Sequence, residues 1–368
     1  KNIAIGSYTG INITSGDENV LIGRSAGNNH NSSDLVAVGT AALASISNAT
    51  ADGTVAVGHN ALTALTIGTG NVAIGYTALD AEIGGDKSTA VGYEALTAQT
   101  GVTGEVSNTA IGYSAGKAIT TGIKNVIIGS NAAIVAQDVD ETVIIGQAAC
   151  GDGNLTATGT VVIGRLAGYA LVGGAGNTLI GYKSGDILTT GDNNTIIGFE
   201  ADPSANSGTN QIVLGKGVTG SGDGTLTFGH GSTDTTCTNG STSWSNPSDK
   251  RIKKDIQDSS LGLSFINDLK PKTFKYKAKG DLPKIHSEYE KDSSDLWRED
   301  KTYHGFIAQE VKEAIDKAGD SVKDGFEGWS VNATTELQRV GESAFIGALI
   351  KAVQELTAKV EELESKLT

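Results

Sequence analysis

An apolar residue followed by glycine returns fourteen times along the first two thirds of the chain, at Gly6, Gly23, Gly39, Gly58, Gly75, Gly92, Gly112, Gly129, Gly146, Gly164, Gly181, Gly198, Gly215 and Gly229. Successive glycines stand 14 to 20 residues apart, most often 17. That period is too short for a propeller blade or a helical-pair repeat and fits one coil of a β-solenoid. Rungs spaced ~4.8 Å apart would stack into a rod of roughly 65 Å.

Ile, Val, Leu or Phe precedes each glycine, as at Ile5, Ile22, Val38, Val57, Ile74, Val91, Ile111 and Ile128, and Val, Ile or Thr stands two residues earlier, as at Val20, Val72, Val126 and Ile212. Side chains alternate along a strand, so these two columns share a face. The column between them is apolar too: Ala4, Ala37, Ala56, Ala73, Ala90 and Ala110, later Ile127, Ile144, Val162 and Ile196. A strand apolar on both faces is covered on both. One face fills the solenoid interior and the other takes a partner; the small Ala column is expected to lie against neighbouring chains. Asn often opens the strand (Asn2, Asn19, Asn71, Asn108, Asn125, Asn177, Asn194), which suits a turn or a side-chain hydrogen-bond ladder. Glycine at the corner permits a positive φ or a close backbone approach. Ala recurs three residues later, from Ala26 and Ala42 to Ala149 and Ala167, and marks a second tightly packed segment.

Composition divides the chain near residue 245. Up to Pro247 there are 42 Gly, 8 Lys+Arg and 19 Asp+Glu; from Ser248 there are 8 Gly, 20 Lys+Arg and 23 Asp+Glu. The net charge of −14 argues against a nucleic-acid footprint, which needs a basic face. No apolar run approaches membrane-spanning length, and the N-terminus has no secretory apolar core. The absence of Met and the start at Lys1-Asn2-Ile3 are expected of a fragment or a trimmed product. Cys150 and Cys237 make no CxxC pair and have no His at ligand spacing, so they read as two buried thiols rather than a zinc site. No metal and no cofactor is expected.

The rod offers no catalytic constellation. Its acids lie in the connections, as at Asp138, Asp140 and Glu141, and read as solvated turns rather than calcium ligands. The residue after the glycine is often large or polar (His59, Tyr76, Tyr93, Tyr113, Tyr182, Phe199, Arg24, Arg165), which reads as stacking between rungs at a corner, with sugar stacking as the alternative. Asn71-Val-Ala-Ile-Gly-Tyr-Thr-Ala-Leu and Asn108-Thr-Ala-Ile-Gly-Tyr-Ser-Ala-Gly resemble the head repeats of YadA-like trimeric adhesins and related phage fibres, over about residues 2–230. The resemblance implies a left-handed parallel β-roll with three chains side by side.

Residues 231–247 form a small polar, extended linker, and Ser248-Asp249-Lys250-Arg251-Ile252-Lys253 follows. Taken alone, Ser-Asp before a basic run is most simply a turn or a helix cap. Further on stand a short amphipathic segment and strand from Leu261 to Tyr276, a strand running into a helix at Tyr303-His304-Gly305-Phe306-Ile307-Ala308-Gln309-Glu310-Val311, and a closing helix. That helix spaces Ile346, Leu349, Val353, Leu356, Val360, Leu363 and Leu367 at alternating steps of 3 and 4, a coiled-coil seam. Asp281–Thr302, with His286, reads as a charged loop or arm anchored by Trp297.

Together these three ordered motifs resemble the C-terminal intramolecular chaperone of phage endosialidases and tail fibres, over residues 248–368. The resemblance implies a domain that trimerises, guides folding of the preceding β-structure, and cuts itself off with a serine–lysine dyad. Carried over, Ser248 is the nucleophile, Lys253 the base and Pro247–Ser248 the scissile bond; Asp249 and Arg251 match the motif as loop-fixing ion partners. A serine hydroxyl needs a base to take its proton, and a lysine serves only where burial or neighbouring positive charge favours its neutral amine. His304 and Gln309 read as structural members of the motif.

The expected architecture is therefore mainly β: a trimeric solenoid at 1–230, a linker at 231–247, and an α+β chaperone domain at 248–368 ending in a coiled-coil helix. The expected function is a homotrimeric phage tail-fibre or spike fragment that binds a host-surface glycan or protein receptor and cleaves only itself. A bacterial surface adhesin with the same cassette, or a glycan-degrading tailspike, is the alternative. Its expected place is the virion or, for the adhesin, the cell surface, without membrane insertion.

Overall fold

The computed structural model describes all residues except 29, 47–50, 101–102, 232, 242–243, 246–247, 320–325, 327, 333 and 368. They form two compact units, Lys1–Asp249 and Lys250–Thr368.

The first unit is a β-solenoid. Short strands from Ile3–Ile5 to Thr225–His230 stack in chain order into one sheet, each parallel to the last. Register is glycine on glycine, as in Val72↔Thr89, Ala73↔Ala90 and Ile74↔Val91. Each rung is hydrogen-bonded on both sides: Val72 N donates to Ser88 O and Gly75 N to Val57 O, both at 2.8 Å. The column glycine is required by backbone contact. Gly58 and Gly75 have φ of 142° and 147°, and a Cβ on either would collide with the carbonyl oxygen of the next rung's glycine. The coil then turns through left-handed residues two and four positions on, such as Thr77 and Leu79 with φ of 48° and 52°. A non-glycine residue there carries strain of roughly 1–2 kcal/mol, which burial of the Leu79 side chain offsets.

The structure reverses the expected assignment of the two strand faces. Ala37, Ala56, Ala73, Ala90 and Ala110, and after them Ile127, Ile144, Val162 and Ile196, are wholly buried inside a single chain. They fill the interior and cannot meet a neighbouring chain. The outward columns are those flanking them, with Ile5 58% and Ile74 40% exposed. The Ala side chains are small for a reason within the coil, because the residue four past the glycine enters the same interior. Ala37, Ala56, Ala73 and Ala90 go with Leu43, Leu62, Leu79 and Leu96, whereas Leu21, Val162 and Leu179 go with Gly27, Gly168 and Gly185. In these coils volume is exchanged between two columns, as the close packing of a protein interior requires; Ala110 with Gly116 is the exception, and there Leu96, Ile119 and Ile127 crowd the glycine instead.

The Asn ladder is present. Asn125 N donates to Asn108 Oδ1 at 2.9 Å, and Thr142 N donates in turn to Asn125 Oδ1 at 3.0 Å. The Asn108 amide donates across the coil to Gly122 O at 2.6 Å. Each buried amide thus satisfies backbone groups that the turn would otherwise orphan. At its C-terminal end the sheet is closed within the stretch read as a linker. Thr235–Thr238 turns back antiparallel on Thr225–His230, and Trp244 packs edge-on against Phe228 with centroids 5.6 Å apart. An antiparallel strand there covers an edge that could template mispairing.

The second unit is small and α+β. Its helices are α1 (Leu263–Asp268), α2 (Ala308–Ala318) and α3 (Phe345–Leu367). Strand Lys272–Phe274 pairs antiparallel with Tyr303–Gly305, and Trp329–Val331 with Gln338–Val340. The core gathers Phe265, Val311, Ala314, Ile315, Phe345 and Ala348.

Candidate functional site

The residues singled out as a self-cleavage site lie where the two units meet in sequence. Ser248 and Asp249 close the first unit; Lys250, Arg251 and Lys253 open the second. Pro247 lies outside the described residues. Lys250–Ile252 make a single 3-10 turn, closed by Lys253 N donating to Lys250 O at 3.2 Å. Every residue from Ser248 to Ser260 is exposed. Ser248 and Lys253 therefore belong to different units, each on an exposed segment.

The His-Gly-Phe-Ile-Ala-Gln-Glu-Val stretch splits by depth. Phe306 packs on Phe345 with centroids 5.4 Å apart, and Val311 is buried on α2. These two are structural, but His304 and Gln309 are exposed. His304 faces an open depression of about 610 Å³ shared with Lys272, Thr273 and Glu342. The charged arm is anchored as expected. Trp297 meets Tyr276 edge-on at 4.9 Å and His286 at 4.6 Å, and the Arg298 guanidinium lies 4.7 Å from the Tyr276 ring centre.

Helix α3 carries apolar residues on two sides. Phe345, Ala348 and Ala352 turn inward, while the whole heptad seam from Ile346 to Leu367 is exposed, Leu356 by 50% and Leu363 by 60%. Sequence reasoning missed what fixes its base: the Glu355 carboxylate accepts the Leu263 N–H at 2.9 Å, across 92 residues of sequence. A carboxylate at a helix start satisfies an orphan donor there. No local pattern signals that contact.

On the solenoid, the corner aromatics stack rung upon rung. His59, Tyr76, Tyr93 and Tyr113 have successive centroids 5.3, 5.0 and 5.3 Å apart with planes within 12°. Inside such a file both faces of a ring are occupied by neighbours, so a sugar has no face there to stack on. The acids of the connections are engaged by the chain itself. Asp138 accepts from Thr120 and Thr121 hydroxyls at 2.8 and 2.7 Å, and Asp140 from Ile123 N at 2.9 Å. Glu141 pairs with Lys124 at 3.3 Å.

Also unforeseen is a buried carboxylate inside the solenoid. Glu82 occupies the interior column filled elsewhere by Ile46, Leu65 and Ile119, and it is wholly buried. Its Oε1 accepts the N–H groups of Ile83, Gly84 and Gly85 at 2.7–2.9 Å, and its Oε2 accepts Gln99 Nε2 at 2.6 Å. Gln99 in turn accepts Asn108 Nδ2 at 2.9 Å. Both cysteines are free and buried, and burial pushes the Cys150 thiol up to about 12, which leaves it unreactive.

Residues 248–320 match the family described as chaperone of endosialidase. The match begins at Ser248 and contains both the Ser248–Lys253 segment and the His304–Val311 stretch; α3 lies beyond it. No curated protein and no solved structure matches the chain. The molecule thus carries, directly after a β-solenoid in the sequence, a stretch similar to the chaperone-of-endosialidase family. No helix among the described residues is long and apolar enough to cross a membrane.

Proposed function

We propose that this chain is part of a homotrimeric phage tail fibre or spike whose C-terminal domain assembles the rod and then removes itself. The observation that carries the reading is the family match that opens at Ser248, at the junction with a solenoid. Two exposed apolar surfaces support self-association. One is the α3 seam. The other is the outward face of the rod, where the columns running from Ile3 to Leu226 and from Ile5 to Phe228 hold no charged residue in any rung. Three such faces turned to a common axis would form a dry core running the length of the rod.

The physical logic runs through register. A parallel solenoid pairs residues far apart in sequence, so three chains aligning unaided would be slow and prone to slip. A trimerising domain raises the local concentration of the three rods. Within it Lys253 takes the proton of the Ser248 hydroxyl, whose Oγ attacks the Pro247 carbonyl; the Pro247–Ser248 amide bond breaks as the Ser248 amine leaves with that proton, and water hydrolyses the resulting ester to a Pro247 carboxylate, with Asp249 and Arg251 fixing the loop. The assembled rod serves adhesion to a host-surface glycan or protein from the virion.

Intact-mass measurement of the expressed chain tests this. The wild-type chain should give two fragments meeting at Pro247–Ser248. Ser248→Ala and Lys253→Ala should each give an uncut chain of about 37.6 kDa that still forms trimers. Cleavage of Ser248→Ala at the same bond would remove the assigned nucleophile.

A further inference from the structure

The second unit leaves an apolar groove of about 270 Å³ between α1 and the start of α3, walled by Ile266, Leu269, Pro271, Phe306, Phe345 and Leu349. An apolar cavity of ~150 Å³ accepts a benzene-sized group, so this groove has room for two branched aliphatic side chains. Two such side chains stand free of any core on the same unit: Ile252 is 66% exposed and Ile256 60%. They are four residues apart, on either side of Lys253, in a segment that packs no side chain inward before Leu261. Neither lines the groove of its own chain.

We propose that residues 250–256 are a strap exchanged between copies, with Ile252 and Ile256 of one chain seated in the groove of a second. This rests on the trimeric, self-cleaving reading above and gives it a physical trigger. Three features choose a second copy as the occupant. Ile346 and Leu349 belong both to the groove wall and to the exposed α3 seam, so a copy that docks along the seam arrives at the groove. The strap is basic around its two anchors, with Lys250, Arg251, Lys253 and Lys254, and the groove carries the exposed Glu342 carboxylate in its wall. The same chain's strap stands out in water instead of filling it. Seating the two isoleucines fixes the backbone on both sides of Lys253 and removes water from it, which favours the neutral amine a general base needs. Ile252 and Ile256 are positioning residues; neither touches the reacting atoms.

The test uses the full chain carrying Ser248→Ala, Ile256→Cys and Leu269→Cys, mildly oxidised, with molar mass read in parallel by light scattering. The native thiols are buried and stay out of the reaction. Disulfide-linked dimers and trimers within a trimeric sample are the expected result. A trimer that crosslinks only within chains, or not at all, overturns the strap exchange and leaves the trimeric reading standing; a monomeric sample overturns both. Should the cysteine pair disturb folding, cleavage kinetics decide. Ile252→Asp with Ile256→Asp should slow cleavage at least 50-fold in a chain that still trimerises, whereas Ile252→Leu with Ile256→Leu should keep the wild-type rate. Cleavage at the wild-type rate in the double Asp variant overturns the proposal.

Discussion

The two units solve the problem of burial in opposite ways. Each solenoid coil fills its own interior, with Ala73 and Leu79, or Leu179 and Gly185, wholly inside one chain. The C-terminal unit gathers a handful of residues around Phe265 and Phe345 and leaves its longest helix apolar side out. A coil is completed by its neighbouring rungs, whereas the α3 seam is left uncovered by its own chain. The rod is therefore stable by accumulation, rung upon rung, and the proposed trimer would cover what the C-terminal unit leaves exposed.

The sharpest way to break this contrast is at the seam. Leu356→Asp with Leu363→Asp places charges where three helices would meet and should abolish both trimer and cleavage, leaving the coils of the rod intact. Sedimentation and intact mass read the first two outcomes, and far-ultraviolet circular dichroism the third. A seam-broken monomer that still cuts before Ser248 at the normal rate would show that the dyad forms within each chain.

Next in size is the interior of the rod. Ala73→Glu buries a carboxylate with no partner and should cost on the order of 4 kcal/mol or more, seen as early melting of the solenoid even in a truncated, monomeric rod. Val57→Asp, on the outward face, should leave that monomer's melting within about 0.5 kcal/mol of wild type and act on assembly alone. If the two variants behave alike, the faces are not distinguished as the structure has them.

Which face is which was the part of the fold least legible in the sequence. The period, the glycine corners, the Asn ladder and the stacked tyrosines all follow from residue types repeating at one spacing. Facing does not, because both faces of the strand are apolar and the inner one begins with the smaller side chain. The deciding signal, in most coils, is the inverse size of the mid-strand residue and the residue four past the glycine, Ala90 with Leu96 against Leu179 with Gly185, with Ala110 and Gly116 as the exception. It emerges only when the two are read as one volume. In the C-terminal unit, Ser248 and Lys253 are legible as a motif, but long-range contacts such as Glu355 with Leu263 are encoded by no local spacing.

A smaller effect sharpens the view of the interior as more than a greasy tube. The column pattern suggests that leucine should suit position 82, since Leu65 occupies the same place in a neighbouring coil. The hydrogen bonds say otherwise. Glu82→Leu orphans three backbone N–H groups and leaves Gln99 Nε2 only its 3.2 Å bond to Ser88 Oγ, and should destabilise the rod by about 3 kcal/mol, more than Gln99→Leu, which removes one partner from each of Glu82, Ser88 and Asn108. Denaturant melts of the two variants give the order.

The smallest expected effect concerns pH and again belongs to the rod. Burial, with the Asp186 carboxylate adding like charge, raises Asp202 from the usual range to about 6. The folded rod therefore holds a proton that the unfolded chain releases near pH 4. Its contribution is fully present below the unfolded value and is lost as pH rises through about 6, so this site favours the fold more at pH 4.5 than at pH 7.5. Lys183, 3.8 Å from Asp186, is the cation that tempers the repulsion. His30 works the other way, because burial lowers it and acid then favours the unfolded chain. Wild-type melting temperatures alone would mix the two. Asp202→Asn separates them: the variant rod should melt a few degrees above wild type at pH 7.5 and together with it at pH 4.5. An equal difference at both values would mean that Asp202 stays ionised in the fold and that its neighbours, rather than a proton, hold it in place.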